Sequence, residues 1–208
     1  MTDSNLENIK TYFGEKLASY GATPRGADWN SAESQTIRFE QLAKVVDPPQ
    51  GFSLIDYGCG YGALAGFLKA RGYHFRYTGY DLLESMVLEG RQLFGDDPNC
   101  TFTSQERDLP TADYAVASGI FNIKFQSGDE DWTAYVLGIL RRMHELSSKG
   151  FAFNMLTSYS DSDHMRPDLY YADPCFIFDY CKRHFARNVA LLHDYGLYDF
   201  TILVRKNR

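Results

Sequence analysis

Asp56-Tyr57-Gly58-Cys59-Gly60-Tyr61-Gly62 lies between two stretches of opposite character. Before the glycines, Phe52-Ser53-Leu54-Ile55-Asp56-Tyr57 is a short apolar run, the pattern of a buried strand. After them, Leu64, Phe67 and Leu68 recur at helical spacing between Ala63 and Arg71, and Gly72 ends the pattern. A strand that turns through glycines into a helix brings bare backbone close to whatever lies beyond the strand's carboxyl end.

The same alternation continues downstream. Residues 76–81, 99–104, 112–121 and 150–156 read as strands, and 84–94, 129–146 and 174–185 as helices, the last with Pro174 at its first position. Residues 188–193 and 200–204 close the chain as two strands. Upstream, 5–20 is a helix, 21–30 a connector containing Pro24, Gly26 and Trp29, and 31–46 a second helix, capped by Ser31 or Ser34 and stopped by Pro48-Pro49 and Gly51. Strand alternating with helix implies parallel strands and right-handed crossovers. The turn Asp194-Tyr195-Gly196-Leu197 is too short for a crossover, so the closing hairpin adds one antiparallel strand. The expected fold is α/β: a doubly wound, Rossmann-like, seven-stranded and mostly parallel sheet. It forms a single domain over 1–208, with an N-terminal helical cap (1–30) and an insert (158–173) placed to act as a lid.

Composition removes several classes of function. The 208 residues are 44% hydrophobic and 23% charged, which is globular and not disordered. A net charge of −6 disfavours nucleic acid and anionic membranes, which need a positive field. The one dense basic run, Arg205-Lys206-Asn207-Arg208, reads as a solvated tail. No apolar run approaches the roughly 20 residues of a membrane helix, and Met1-Thr2-Asp3-Ser4-Asn5 has no leader character, so a cytoplasmic location is expected. Cys59, Cys100, Cys175 and Cys181 contain no C-x-x-C pair and read as reduced thiols. Fifteen Tyr, fifteen Phe and two Trp suggest a lined pocket as well as a core. The oligomeric state, monomer or homodimer, is not legible.

Two cofactors compete for the glycine loop. Gly58, Gly60 and Ala63 fit the dinucleotide pattern G-x-G-x-x-A, with Asp81 at a distance suited to a ribose. Asp56 argues against it, because a carboxylate two residues before the first glycine repels a pyrophosphate and attracts an ammonium. Asp56-x-Gly58-x-Gly60-x-Gly62 with Asp81 resembles the class I S-adenosylmethionine-dependent methyltransferases over roughly residues 31–208, including the closing hairpin. The resemblance implies S-adenosylmethionine as cofactor. It implies that Gly58, Cys59, Gly60, Tyr61 and Gly62 pack on the methionyl part, that Asp81 holds the ribose and that Leu82 lies beside adenine. Where that family often has an acid after the third strand, to accept from the adenine amino group, this chain has Gln105.

The remaining candidates follow from position. By the same resemblance, Ser118 and Gly119, in the closing part of the fourth strand, fall near the cofactor, and Arg38 is placed to bind its carboxylate. Asn122 and Asn154 end adjacent strands and are suited to orienting an acceptor. His193, followed by Asp194, is the candidate base alongside Asn122. Tyr12 and Trp29 of the cap, and His164, Tyr170 and Tyr171 of the insert, are expected to enclose the acceptor. Asp161, Asp163, His164 and Asp168 read as a solvated loop, and no metal is expected. The function expected is methyl transfer to an O or N of a small molecule. Rival readings are methylation of tRNA or a protein side chain, a nicotinamide-nucleotide oxidoreductase, and a non-catalytic cofactor-binding relative.

Overall fold

The computed structural model describes residues 3–47 and 51–206. Met1 and Thr2 of the leader reading, the Pro48-Pro49 helix stop, and Asn207 and Arg208 of the basic run lie outside the described residues. Thirteen elements follow in chain order: α1 (Asp3–Tyr20), α2 (Ala32–Ala43), β1 (Phe52–Tyr57), α3 (Ala63–Ala70), β2 (Phe75–Tyr80), α4 (Glu84–Phe94), β3 (Cys100–Thr103), β4 (Ala112–Ala117), α5 (Asp129–Leu146), β5 (Ser147–Leu156), α6 (Pro174–His184), β6 (Asn188–Leu192) and β7 (Asp199–Arg205). Short 3₁₀ turns lie at Arg25–Ala27 and Glu106–Asp108.

Local chemistry explains the helix starts. The Ser31 hydroxyl accepts the Ser34 N–H at 3.0 Å, fixing the first turn of α2. Asp173 caps α6 through the N–H groups of Cys175 and Phe176, with Pro174 at the position where its missing N–H costs nothing. Asp129, Glu130 and Asp131 open α5, where negative charge suits the helix dipole.

The seven strands run in the order β3-β2-β1-β4-β5-β7-β6. All pairs are parallel except those of β7, which lies antiparallel between β5 and β6. Successive residues face opposite sides, so each central strand serves two cores. Ile55, Ala115, Phe151, Phe153 and Ile202 pack beneath Trp132, Val136, Leu140 and Met143 of α5 and Ile177 of α6. Leu54, Val116, Ala152 and Leu203 pack under Phe39 and Leu42 of α2 and Leu64 and Leu68 of α3. Each large side chain fully buried in this way contributes roughly 1.5–3 kcal/mol of transfer free energy.

Three local expectations are corrected. β4 ends at Ala117 and not at Phe121, because Gly119 takes a φ of +75° that a strand cannot hold. β5 starts three residues early, directly after α5, with the Ser147 hydroxyl donating to the Met143 carbonyl at 2.8 Å. Arg205 and Lys206 are not a solvated tail: Arg205 donates to the Lys44 carbonyl, and the Lys206 amine donates to the carbonyls of His144 and Ser147.

Candidate functional site

The carboxyl ends of β1, β2 and β4 open into one cavity of about 480 Å³, within the roughly 300–1,000 Å³ of small-ligand sites. The glycine loop forms its floor. Gly58 and Cys59 both donate their N–H to the Tyr80 carbonyl, at 2.7 and 2.9 Å, which docks the loop on the end of β2. Gly58 has a φ of +82°, and a Cβ there would lie 2.2 Å from Ile120 Cγ2. Gly60 has a φ of +53°, but its Cβ direction is open, with Met86 Sδ the nearest atom at 4.0 Å. Gly58 is therefore demanded by the protein's own packing, whereas Gly60 leaves a bare backbone ledge facing the cavity.

Asp81 holds that ledge in place. Its Oδ2 accepts the Gly60 N–H at 2.8 Å and its Oδ1 accepts the Leu83 N–H at 3.0 Å. Burial raises its pKa above the ordinary carboxylate value, while the backbone N–H groups of Leu83, Gly60 and Leu82 pull the other way. Asp56 is 3% exposed, and its Oδ2 accepts the Tyr77 hydroxyl at 2.7 Å. Burial pushes this acid up to about 7, against the Tyr77 hydrogen bond and with the help of nearby Asp81. Cys59 and Tyr61 line the cavity too, and burial raises both above their ordinary values. Leu82 borders it beside Leu83 and Met86.

On the far wall the structure puts Glu106 where the sequence reading put Gln105. Gln105 is exposed at the start of the Glu106–Asp108 turn, and Glu106 lines the cavity with its Oε1 accepting from Arg142 Nε at 2.9 Å. Tyr57, Tyr80 and Tyr135 stand beside it. Burial first, and the Glu106 charge after it, raise the Tyr80 hydroxyl to about 12.

Arg38 and Trp29 line another part of the cavity. The Arg38 guanidinium is buried, donating from Nε to Asp199 Oδ1 at 3.1 Å, from Nη2 to Asp199 Oδ2 and from Nη1 to the Ser34 carbonyl at 2.9 Å. It lies 4.7 Å from the Trp29 ring, and Trp29 in turn abuts Gly119, where a Cβ would come within 2.5 Å. The Gly119 N–H donates to Asn154 Oδ1 at 2.8 Å, and Asn154 Nδ2 donates to Ser118 Oγ at 3.3 Å. Asn154 is wholly buried behind Ser118 and Gly119 and is not part of the wall. Asn122 is part of it, with its Oδ1 accepting the Leu156 N–H at 3.2 Å.

The roof comes from α1 and the insert, through residues the sequence reading did not single out. Leu6, Ile9 and Phe13 face the cavity from α1, and Arg166 and Leu169 from the insert. The first three show helical spacing in the sequence, a pattern that marks a buried face but not a ligand. Tyr12 stands behind the roof, donating to Asp28 Oδ2 at 2.9 Å, while Lys16 pairs with the same carboxylate at 2.8 Å. Tyr170 turns away to Thr133, and the Tyr171 hydroxyl accepts the Arg166 N–H at 2.9 Å. His164 is exposed among Asp161, Asp163 and Tyr198. His193 is exposed at the end of β6, its ring near Tyr159 and Phe200. β7 and β5 intervene between β6 and β4, which at about 4.8 Å per strand sets His193 roughly 14 Å along the sheet from β4. Among the described residues, no histidine lines the cavity.

The likeness to known proteins agrees with this arrangement. No protein-family model matches the chain. A Mycobacterium tuberculosis protein named as a methyltransferase is 51% identical over 163 residues, spanning 78% of this chain and 98% of that one. Among solved structures, the complex of DhpI with SAM and HEP matches over 99% of both chains, with a TM-score of 0.66 and 14% identity. The Burkholderia thailandensis 1,6-didemethyltoxoflavin-N1-methyltransferase, bound to 1,6-didemethyltoxoflavin and S-adenosylhomocysteine, matches over 100% of this chain and 92% of its own, with a TM-score of 0.62 and 17% identity. The structural matches establish the fold, and the close relative establishes the family: the chain belongs to the class I S-adenosylmethionine-dependent methyltransferases.

Proposed function

We propose that the chain methylates an O or N of a small molecule, in the reducing setting its four free cysteines suit. The observation that carries this reading is the enclosure of the cavity. One space runs from the glycine loop to a roof made by α1 and the insert, and a roofed site of this volume admits a metabolite more readily than a folded nucleic acid or protein.

The residues fit the cofactor. The Gly60 ledge is open to a close backbone approach, and Asp81 retains acceptor capacity on both oxygens for ribose hydroxyls. Asp56 suits the amino group, Leu82 the adenine face, and Glu106, in place of Gln105, the adenine amino group. Arg38 has five N–H donors, of which three are used within the fold, leaving two for a carboxylate. When bound, S-adenosylmethionine supplies an electrophilic methyl group on a sulfonium. The chain supplies position and exclusion of water: Ser118 and Asn122 border the transfer site, Trp29 walls it, and the roof closes it. Alignment alone accounts for much of the acceleration of a displacement.

Incubating the protein with methyl-labelled S-adenosylmethionine and a metabolite extract, tRNA or total protein tests the reading. Label is expected in the low-molecular-weight fraction. Label only in tRNA or protein overturns the small-molecule assignment.

A further inference from the structure

The hydrogen bonds made behind the acceptor side of the cavity fix what its polar groups can offer. Asn122 Oδ1 accepts the Leu156 N–H, which fixes the orientation of the amide and leaves its N–H groups for a ligand. Ser118 Oγ accepts from Asn154 Nδ2, whose own orientation is set by the Gly119 N–H bound to Asn154 Oδ1. The Ser118 hydroxyl is thereby left with its proton to donate. Arg166 directs Nε and Nη2 at Asp168, and its Nη1 is outside that fork. Its place is rigid: the Asp168 carbonyl accepts the N–H groups of Lys124 and Phe125, and Leu169 bridges to Ile123. Asp28, the acidic residue on this side, already holds the Tyr12 hydroxyl and Lys16.

Three groups therefore can donate, no histidine lines the cavity among the described residues, and the Asp28 carboxylate is engaged by Tyr12 and Lys16. Such a lining complements a ligand atom that only accepts and carries its own negative charge. The guanidinium is shared with Asp168, and Asp28, which also acts on it, is paired with Lys16, so the compensation available suits one negative charge and not two. Leu6, Ile9, Phe13 and Leu169 around it make the rest of the space apolar.

We propose that the acceptor is an apolar monocarboxylate, methylated on its carboxylate oxygen and held by Ser118, Asn122 and Arg166. This rests on the methyltransferase reading of the same cavity. A carboxylate lone pair forms the O–CH₃ bond as the methyl carbon's bond to sulfur breaks, with that electron pair staying on sulfur. The products are a methyl ester and a neutral thioether, and no proton moves, so the step needs no base.

The test uses the protein saturated with S-adenosylhomocysteine and three probes of one shape: 4-phenylbutyrate, its amide and 4-phenylbutylamine, with affinities read by calorimetry. Saturation with S-adenosylhomocysteine is measured first, and its failure counts against the cofactor site and not against the acceptor class. The carboxylate is expected to bind at least tenfold more tightly than the amide or the amine. Asn122→Asp keeps the oxygen that Leu156 needs and replaces the donor by an acceptor, so it is expected to remove that preference. Arg166→Gln, on an exposed side chain that leaves the fold intact, is expected to lower it at least fivefold. The proposal is overturned if the wild-type protein binds the carboxylate no better than the other two, including the case in which none binds, or if both variants keep the wild-type preference.

Discussion

The Tyr77 hydroxyl donates to Asp56 Oδ2 across the first two parallel strands, at 2.7 Å, inside a site where burial has pushed the Asp56 acid up to about 7. In the unfolded chain this acid has a value of about 3.9. The folded form therefore binds more protons between those limits, and the Asp56 contribution to stability is full below about pH 4, falls as pH rises towards 7, and is lost above it. Asp97, Asp113 and Asp168 are shifted the opposite way, so their contributions are lost only as pH falls below the ordinary carboxylate range. His144, lowered by burial, opposes Asp56 near pH 6 but is common to both proteins compared. Denaturant melts of wild type and Asp56→Asn between pH 5 and 8 are expected to differ in slope, with wild type alone losing stability from this group as pH rises.

The same group governs a ligand. An ammonium beside Asp56 favours the ionised form, so affinity for S-adenosylhomocysteine is expected to weaken as pH falls through 7 in wild type. In Asp56→Asn it should be weaker and flat, by calorimetry. A wild-type affinity independent of pH would remove Asp56 from the amino-group role.

Asp81→Ala removes an acceptor for two hydroxyls and also releases the Gly60 N–H. A loss of about 2 kcal/mol in S-adenosylhomocysteine affinity, roughly 30-fold, is expected. Glu106→Ala is expected to weaken binding several-fold, and Gln105→Ala not at all; the reverse order would return the adenine contact to Gln105.

Gly58→Ala combines a left-handed backbone, costing about 1–2 kcal/mol for a side chain, with an overlap on Ile120. The double variant Gly58→Ala/Ile120→Ala is expected to be more stable than the sum of the single losses by about 1 kcal/mol or more. Strict additivity in urea melts would show that the overlap relaxes elsewhere.

α1 buries Leu17 in a small cluster with Leu83 and Met86, and reaches the margin of a main core only through the partly buried Ile9. Amide exchange in α1 is expected to be faster than in the central strands. Leu17→Ala should accelerate it further while leaving the protection of β1 and β4 within a few-fold.

How far the sequence foretold this molecule differs from place to place. The step from β1 through the glycines to α3 was legible to the residue, because strand, turn and helix there all obey local rules. Ile120 and Phe121 extend the apolar pattern of β4, and only the Gly119 backbone takes them out of the strand. Gln105 and Glu106 are adjacent in the sequence, and which of them faces the cavity depends on a 3₁₀ turn that carries no pattern of its own. His193 was placed at the correct edge of the sheet but not at the correct distance, because strand order is a tertiary property and β7 pushes β6 outward. Arg166 sits in an insert whose tyrosines drew the reading, and its role depends on contacts with residues 122–125.

The position of β7 has a consequence for biogenesis. β5 and β6 each take β7 as a neighbour, yet β7 comes later in the chain than either. At roughly 5–20 residues per second, the interval on the ribosome between β5 and β7 is on the order of seconds. During that time β5 presents an unpaired edge, β6 has no ladder to join, and Arg38 on α2 waits without Asp199. The nascent chain therefore passes through a stage in which a half-built sheet and an unmatched cation coexist, with the β5 edge open to mispairing.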